Sequence, residues 1–143
     1  MVRAELGGAG VLFSIDTETG FDRIVLIDAA WGLGENVVQG AVDPDEYEVF
    51  KPLLDDPTLG PIVGKKRGAK TVKMVCSRSR MQPTRNVRTS EAERGAWVLQ
   101  DQEILKLARW ACLIETHYGC AMDMEWAKDG ETNETFIVQA RPA

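Results

Sequence analysis

Only one stretch of this chain carries a sustained helical hydrophobic period, and it constrains the whole architecture. In DQEILKLARWACLIETHY (101–118), Ile104, Leu107, Ala108, Ala111, Ile114 and Tyr118 recur at helical spacing as one apolar stripe, which Trp110 and Leu113 widen. Asp101 is placed to cap the start, Gln102 and Glu103 suit the positive helix end, and Gly119 is placed to stop it. A helix with a single apolar stripe has to lay it against another layer. The remaining segments are short and strand-like: GVLFSID (10–16), DRIVLIDAAWG (22–32), EYEVFK (46–51) and PIVGKKRGAKTVKMVC (61–76). The second is apolar enough to be buried on both faces. The fourth reads as two short strands meeting at Gly68, in a meander. Between 32 and 45 the glycines and "DPD" bracket a short helical or irregular piece, and residues 77–92 carry the least pattern of any segment. The expected class is α+β, a largely antiparallel sheet under one long covering helix.

Composition narrows the function classes. The 143 residues suffice for one domain or part of a larger one, and a net charge of −5 argues against general nucleic-acid binding. Basic residues do concentrate in KKRGAK (65–70) and SRSRMQPTRNVR (77–88), which fits either a phosphate-facing patch or a solvated loop. No run is long and apolar enough to span a membrane, and the start lacks a secretory pattern, so a cytoplasmic location is the default expectation. Cys76, Cys112 and Cys120 are odd in number and lack a C-x-x-C pairing, which predicts free, buried or partly buried thiols rather than a disulfide framework or a zinc site. His117, the lone histidine, has no nearby nucleophile to serve.

The chain closes on MDMEWAKDGETNETFIVQARPA (122–143), two alternating runs around a turn centred on Asp129-Gly130. Alternation puts Asp123 and Glu125 on one face, and Ile137, Gln139 and Arg141 on one face of the second run. An antiparallel hairpin with Glu125 opposite Gln139 and Asp123 opposite Arg141 gathers the polar set, whereas a one-residue slip scatters it. Such a face is either ordinary cross-strand polarity on a wet sheet or a site for a polyphosphate and its metal. Carboxylate and amide oxygens suit Mg²⁺, and an arginine fork suits phosphate. Residue types leave both readings open.

Generic motifs do not decide between them. GLGENVVQG fails the dinucleotide fingerprint, which needs glycine at Val37, and there is no P-loop and no G-x-S-x-G. However, FSIDTETGFDRIVLIDAAWGLGENVVQGAVDPDEYEVFKP (13–52) and HYGCAMDMEWAKDGETNETFIVQARP (117–142) closely resemble the phosphoenolpyruvate synthase (pyruvate, water dikinase) family. The order of WGLGE, VVQG, DPD, HYG, DMEWAKDG and IVQARP makes the likeness specific, and it runs from Met1 to Ala143, weakest over 55–100. Pyruvate phosphate dikinase and rifampicin phosphotransferase share parts of it.

The resemblance implies that residues 1–143 are the second half of an N-terminal ATP-grasp nucleotide-binding domain. In that family, ATP phosphorylates a histidine on a separate domain, and pyruvate then receives the phosphoryl group to give phosphoenolpyruvate, AMP and phosphate. It further implies that Glu125 and Gln139 present oxygens to Mg²⁺ and the ATP phosphates, that Arg141 contacts the phosphates, and that Asp123 stands beside them and orients Arg141 or a metal-bound water. No residue here is implied to be the phosphoryl acceptor. The other ATP lobe and the phosphohistidine domain are implied partners from the same parent chain, so the piece alone is expected to be inactive. The rival reading is a nucleotide-binding or interaction module of a related dikinase or phosphotransferase, without catalysis of its own. Around WGLGENVVQG, Gly32 and Gly34 permit close backbone approach, by a ligand or merely within a turn.

Overall fold

The computed structural model describes residues 2–77 and 81–143. Its centre is a six-stranded antiparallel sheet ordered β4-β3-β2-β1-β7-β8. The strands are β1 (Gly8–Phe13), β2 (Ile24–Trp31), β3 (Asp45–Phe50), β4 (Ile62–Lys66), β7 (Met122–Lys128) and β8 (Thr135–Pro142). A separate two-stranded sheet pairs β5 (Val72–Cys76) with β6 (Thr84–Arg88). Three α-helices, α1 (Glu35–Val38), α2 (Glu91–Gly95) and the 18-residue α3 (Asp101–Tyr118), and three short 3-10 helices, Ala4–Leu6, Lys51–Leu53 and Pro57–Leu59, complete the described residues. The α+β class and the single long helix are as the hydrophobic periods predict.

α3 covers one face of the large sheet. Ile104, Leu107, Ala108 and Ala111 are buried against Leu12, Ile27, Tyr47, Val49, Met122, Met124 and Trp126. Fully burying a side chain such as Ile104 or Leu107 contributes about 1.5–3 kcal/mol each. The buried stripe is narrower than the sequence suggests, because Leu113 and Tyr118 are exposed and Ile114 only partly covered. Gln100, not Asp101, is the cap residue: its N–H donates to the Glu103 carboxylate at 2.8 Å, and its backbone carbonyl accepts from the Glu103 N–H. Gly119 ends it in the left-handed conformation (φ 72°), donating to the Glu115 carbonyl. Lys51 ties that C-terminal end to the β1–β2 connection, pairing with Glu115 and donating to the Ser14 and Asp22 carbonyls.

Several local expectations are corrected. β2 is buried fully on the helix face but only half-covered at Ile24, Leu26 and Asp28, because nothing overlays that part of the opposite face. β4 and β5 do not pair with each other; β4 joins β3, while β5 joins β6. Within 77–92, Thr84–Arg88 is a strand and Ser90 opens α2 with a capping box to Glu93, whereas 78–80 lie outside the described residues. Of the three free thiols, Cys76 and Cys120 are exposed and Cys112 is intermediate.

A buried polar node welds these parts together. The Asp45 carboxylate and Lys70 ammonium form an ion pair 2.5 Å apart with neither side chain exposed. The same carboxylate accepts from the Gly68 N–H (2.9 Å), the Val98 N–H (2.9 Å) and the Tyr47 hydroxyl (3.1 Å). Tyr47 in turn accepts from the Leu99 N–H at 3.3 Å, and burial pushes its phenol pKa upward.

The face away from α3 is open across its middle. Cross-strand register lays two rows over it: Gln139, Glu125, Val11, Asp28, Glu46 and Lys66, then Arg141, Asp123, Phe13, Leu26, Glu48 and Gly64. Asp28 is partly buried in this face, and burial, with Glu46 beside it, raises its pKa to about 6.

Two outcomes follow from this packing. Asp45→Ala orphans two buried backbone N–H groups, a hydroxyl and an ammonium, so chemical denaturation should show a loss larger than that of Lys70→Met, itself about 3–5 kcal/mol. Equal or smaller loss for Asp45→Ala would show that the carboxylate is not the hub. For Asp28, a folded pKa above the unfolded 3.8 means that the native state holds the proton more tightly. Its stabilising contribution is present below pH ~4 and lost as pH rises through ~6. Asp28→Asn should therefore raise Tm at neutral pH and lose that advantage in acid, as read by thermal melts across the range.

Candidate functional site

The β7–β8 hairpin adopts the register that gathers its polar residues. Glu125 lies opposite Gln139, and Asp123 opposite Arg141. The turn between the strands is held by Asp129, whose carboxylate accepts from the N–H groups of Glu131, Thr132 and Arg3. Asn133 takes a left-handed conformation (φ 61°) within it. Lys128, at the end of β7, pairs with Glu103 in the first turn of α3 at 2.9 Å, so the hairpin is fastened to the helix.

A register shift between Glu125 and Trp126 breaks the simple alternation. Trp126 faces Ile137, which leaves Val138 as the extra residue of a β-bulge. Ile137 therefore leaves the face expected from strict alternation and packs toward α3, against the core. Val138 instead borders a groove with Glu125 and Ala127 on the open face. Gln139 and Arg141 keep the expected face. Trp126 is buried beneath the shift, its indole donating to the Asp28 carbonyl at 3.1 Å. Gly10 makes room for that ring: a Cβ there would lie 3.0 Å from the indole nitrogen and 1.8 Å from the Asp28 oxygen.

The four side chains differ in their freedom. Arg141 Nε donates to Asp123 Oδ2 at 3.1 Å, with the arginine side chain 63% exposed and the aspartate 20%. One edge of the guanidinium is thus held while the remaining donors stay accessible. Glu125 is half-buried and Gln139 exposed, and among the described residues no side chain donates to the Glu125 carboxylate. Two adjacent oxygen donors, one charged and neither committed to a protein partner, match the donor chemistry of Mg²⁺, which usually takes one or two protein oxygens beside phosphate oxygens. No cluster of three or more His, Cys, Asp or Glu able to hold a metal by itself occurs among the described residues.

Two hollows flank these residues. One, of about 410 Å³, runs between α1 and the hairpin, bordered by Leu33, Val38, Ala9, Ala127, Val138 and Glu125. The other, of about 320 Å³, collects Asp16, Glu18, Asp28, Glu46 and Glu48 beside Phe13. Glu125 and Asp28 are separated by two strand spacings, about 10 Å. The sequence reading missed both hollows. An acid inside the apolar run IVLIDAAW, and valine between the polar residues of β8, were the available signals.

Around WGLGENVVQG, the glycines have internal reasons to be there. Gly32 (φ 78°) approaches the backbone of Met74, where a Cβ would lie 2.4 Å from the Met74 carbonyl oxygen. Gly34 rests on Ala9, with a Cβ contact of 3.3 Å. His117 is exposed and stacked edge-on against Tyr118. No helix of the described residues is long and apolar enough to cross a membrane.

Comparison with known proteins connects this geometry to a family. The chain is 57% identical over 148 residues to a phosphoenolpyruvate synthase of Synechocystis sp., 53% over 149 to one of Helicobacter pylori, and 48% over 145 to one of Escherichia coli. Each alignment covers 99% of this chain but only 18% of the relative's length, so the relatives are several times longer. Residues 1–143 match, from end to end, the family described as pyruvate phosphate dikinase, AMP/ATP-binding domain. The chain belongs to the pyruvate phosphate dikinase AMP/ATP-binding domain family.

Proposed function

We propose that this chain is the metal- and phosphate-facing wall of an ATP site, the second half of an ATP-grasp domain within a phosphoenolpyruvate synthase. The observation that carries the reading is the Glu125–Gln139 pair standing next to the Asp123–Arg141 pair on the open sheet face. In the parent protein, ATP, pyruvate and water would yield AMP, phosphoenolpyruvate and phosphate through a phosphohistidine on another domain.

Each residue has a distinct task in this reading. The Glu125 carboxylate and Gln139 amide oxygen hold Mg²⁺, which when bound neutralises charge on the phosphate oxygens. Arg141 binds phosphate through the donors that Asp123 leaves free, and Asp123 keeps the guanidinium from swinging away. Phosphoryl transfer asks a protein chiefly for positioning and charge stabilisation, which such a preset pair supplies. No acceptor side chain is assigned to this chain.

Electrostatics orient the nucleotide along the face. Phosphates are repelled from the hollow of five carboxylates around Asp28, whereas the groove beside Val138 offers apolar walls and a floor of small side chains. The uncharged base end of the nucleotide accordingly lies toward Leu33, Val38 and Val138, with the phosphates over Gln139 and Arg141. With the other lobe contributing nothing, the piece alone should bind Mg-ATP no tighter than the millimolar range, about −4 kcal/mol.

The decisive experiment is Glu125→Ala in the parent enzyme, followed by rapid-quench measurement of phosphohistidine formation at saturating Mg-ATP. The rate should fall by at least ~10²-fold, about 2.7 kcal/mol of barrier, with little change in Tm. A near wild-type rate would overturn the metal assignment. Val38→Asp should weaken nucleotide binding about tenfold or more through Km rather than kcat, since Val38 borders the base groove from α1 and lies outside the hairpin that carries the metal pair. An unchanged Km would remove the base from that groove.

A further inference from the structure

We propose that the bulge at Val138 is a positioning device for the candidate metal pair: it keeps the Gln139 amide from closing onto the Glu125 carboxylate, so that both present oxygen to a cation. The inference rests on the metal reading of that pair and accounts for the inserted residue beside it.

The hairpin itself has no need of Val138. β8 pairs with β7 from Thr135 opposite Lys128 to Pro142 opposite Met122, and Val138 is the one residue of β8 skipped in that register. Its removal would leave each of those pairs, and the face of each side chain, as they are. Nor does the core need it, since Val138 is exposed on the open face.

Only β8 can take up the extra residue. β7 is held on its other side by β1, from Asp123 opposite Phe13 to Lys128 opposite Gly8. Trp126 is buried at the point of the shift, its indole donating to the Asp28 carbonyl at 3.1 Å in the space left by Gly10. β8 is the last strand of its sheet, with no neighbour beyond it. Val138 and Gln139 therefore oppose Glu125 together, and both turn to the open face.

This changes what the polar pair can do. In an unbroken ladder, directly opposed Cβ atoms lie about 4.5–5.5 Å apart, within reach of a side-chain hydrogen bond. A glutamine that gives its NH2 to the carboxylate turns its own oxygen away, which is the wrong orientation for a shared cation. The next pair on this face, past the bulge, does close: Arg141 Nε donates to Asp123 Oδ2 at 3.1 Å. Glu125 and Gln139 are opposed in the same two strands, yet neither side chain hydrogen-bonds to the other. A bulge on an edge strand also discourages pairing with another chain. That role alone would leave the metal pair indifferent to Val138.

The test uses the purified chain with Mn²⁺ and inorganic tripolyphosphate as the probe, so that no base contact enters the result. Electron paramagnetic resonance of free Mn²⁺ reports binding. Deletion of Val138 should weaken it at least about tenfold more than Val138→Ala, which keeps the extra residue and shortens only its side chain. A second measurement needs no metal. In the chain of full length, Glu125→Ala should leave hydrogen exchange of the Gln139 side-chain amide unchanged, whereas in the deletion variant it should accelerate that exchange. The full-length comparison decides even if the deletion disturbs the melt. Equal effects of the deletion and Val138→Ala, or accelerated exchange at full length, would overturn the proposal and leave the metal reading standing. So would a deletion variant that self-associates but still binds the probe. Failure of the unaltered chain to bind the probe would remove the metal reading itself, and the positioning role with it.

Discussion

The Asp45 carboxylate is the interaction on which the arrangement of the other parts depends. It gathers a β3 neighbour, the loop leading into β5, and the segment leading into α3, through partners as far as 53 positions away. None of these segments is held there by sheet pairing alone. A buried charge of this kind is costly unless every lone pair is used, and here one ammonium, two backbone N–H groups and a hydroxyl use them. The node fixes where α3 begins relative to the sheet. It also fixes where the chain enters β5.

With α3 seated on one face, the opposite face is left to whatever binds it. Its chemistry is graded across the strands. At the β7–β8 edge, a carboxylate and an amide stand beside a braced arginine; about 10 Å away, Asp28 and Glu46 make a carboxylate-rich hollow. A polyphosphate with its cation suits the first and is repelled by the second. Asp28 shows the strain of this arrangement, since burial and Glu46 raise its pKa to about 6. The bulge at Val138 completes the gradation by placing an apolar side chain next to the polar pair.

Much of this was legible in the residues, and the failures have physical causes. The α3 stripe was visible because 3.6-residue periodicity over 18 positions is hard to imitate, and the Glu125–Gln139 register because only one pairing collects the polar side chains. Alternation cannot announce an inserted residue, so Ile137 was assigned to the wrong face and the role of Val138 was hidden. Leu113 and Tyr118 show that a periodic stripe marks what a helix offers, while the width of the sheet decides what is covered. Residues 84–88 form a strand although TRNVR has almost no apolar content, because pairing with β5 supplies the order. Asp45 sat within DPDEY, which reads as a turn, and its partners come from segments too distant for local pattern to connect.

The central claim is that the β7–β8 edge of the open face, and not its acidic hollow, receives the metal and phosphates of a nucleotide. Paramagnetic broadening by Mn²⁺-ATP in NMR spectra of this chain tests it most directly. Selective loss of the Gln139 side-chain amide, Glu125 and Arg141 signals, with resonances of Glu46 and Glu48 retained, is the result this account predicts. Broadening centred on Asp16, Asp28, Glu46 and Glu48, or equal broadening in a Glu125→Ala variant, would contradict it.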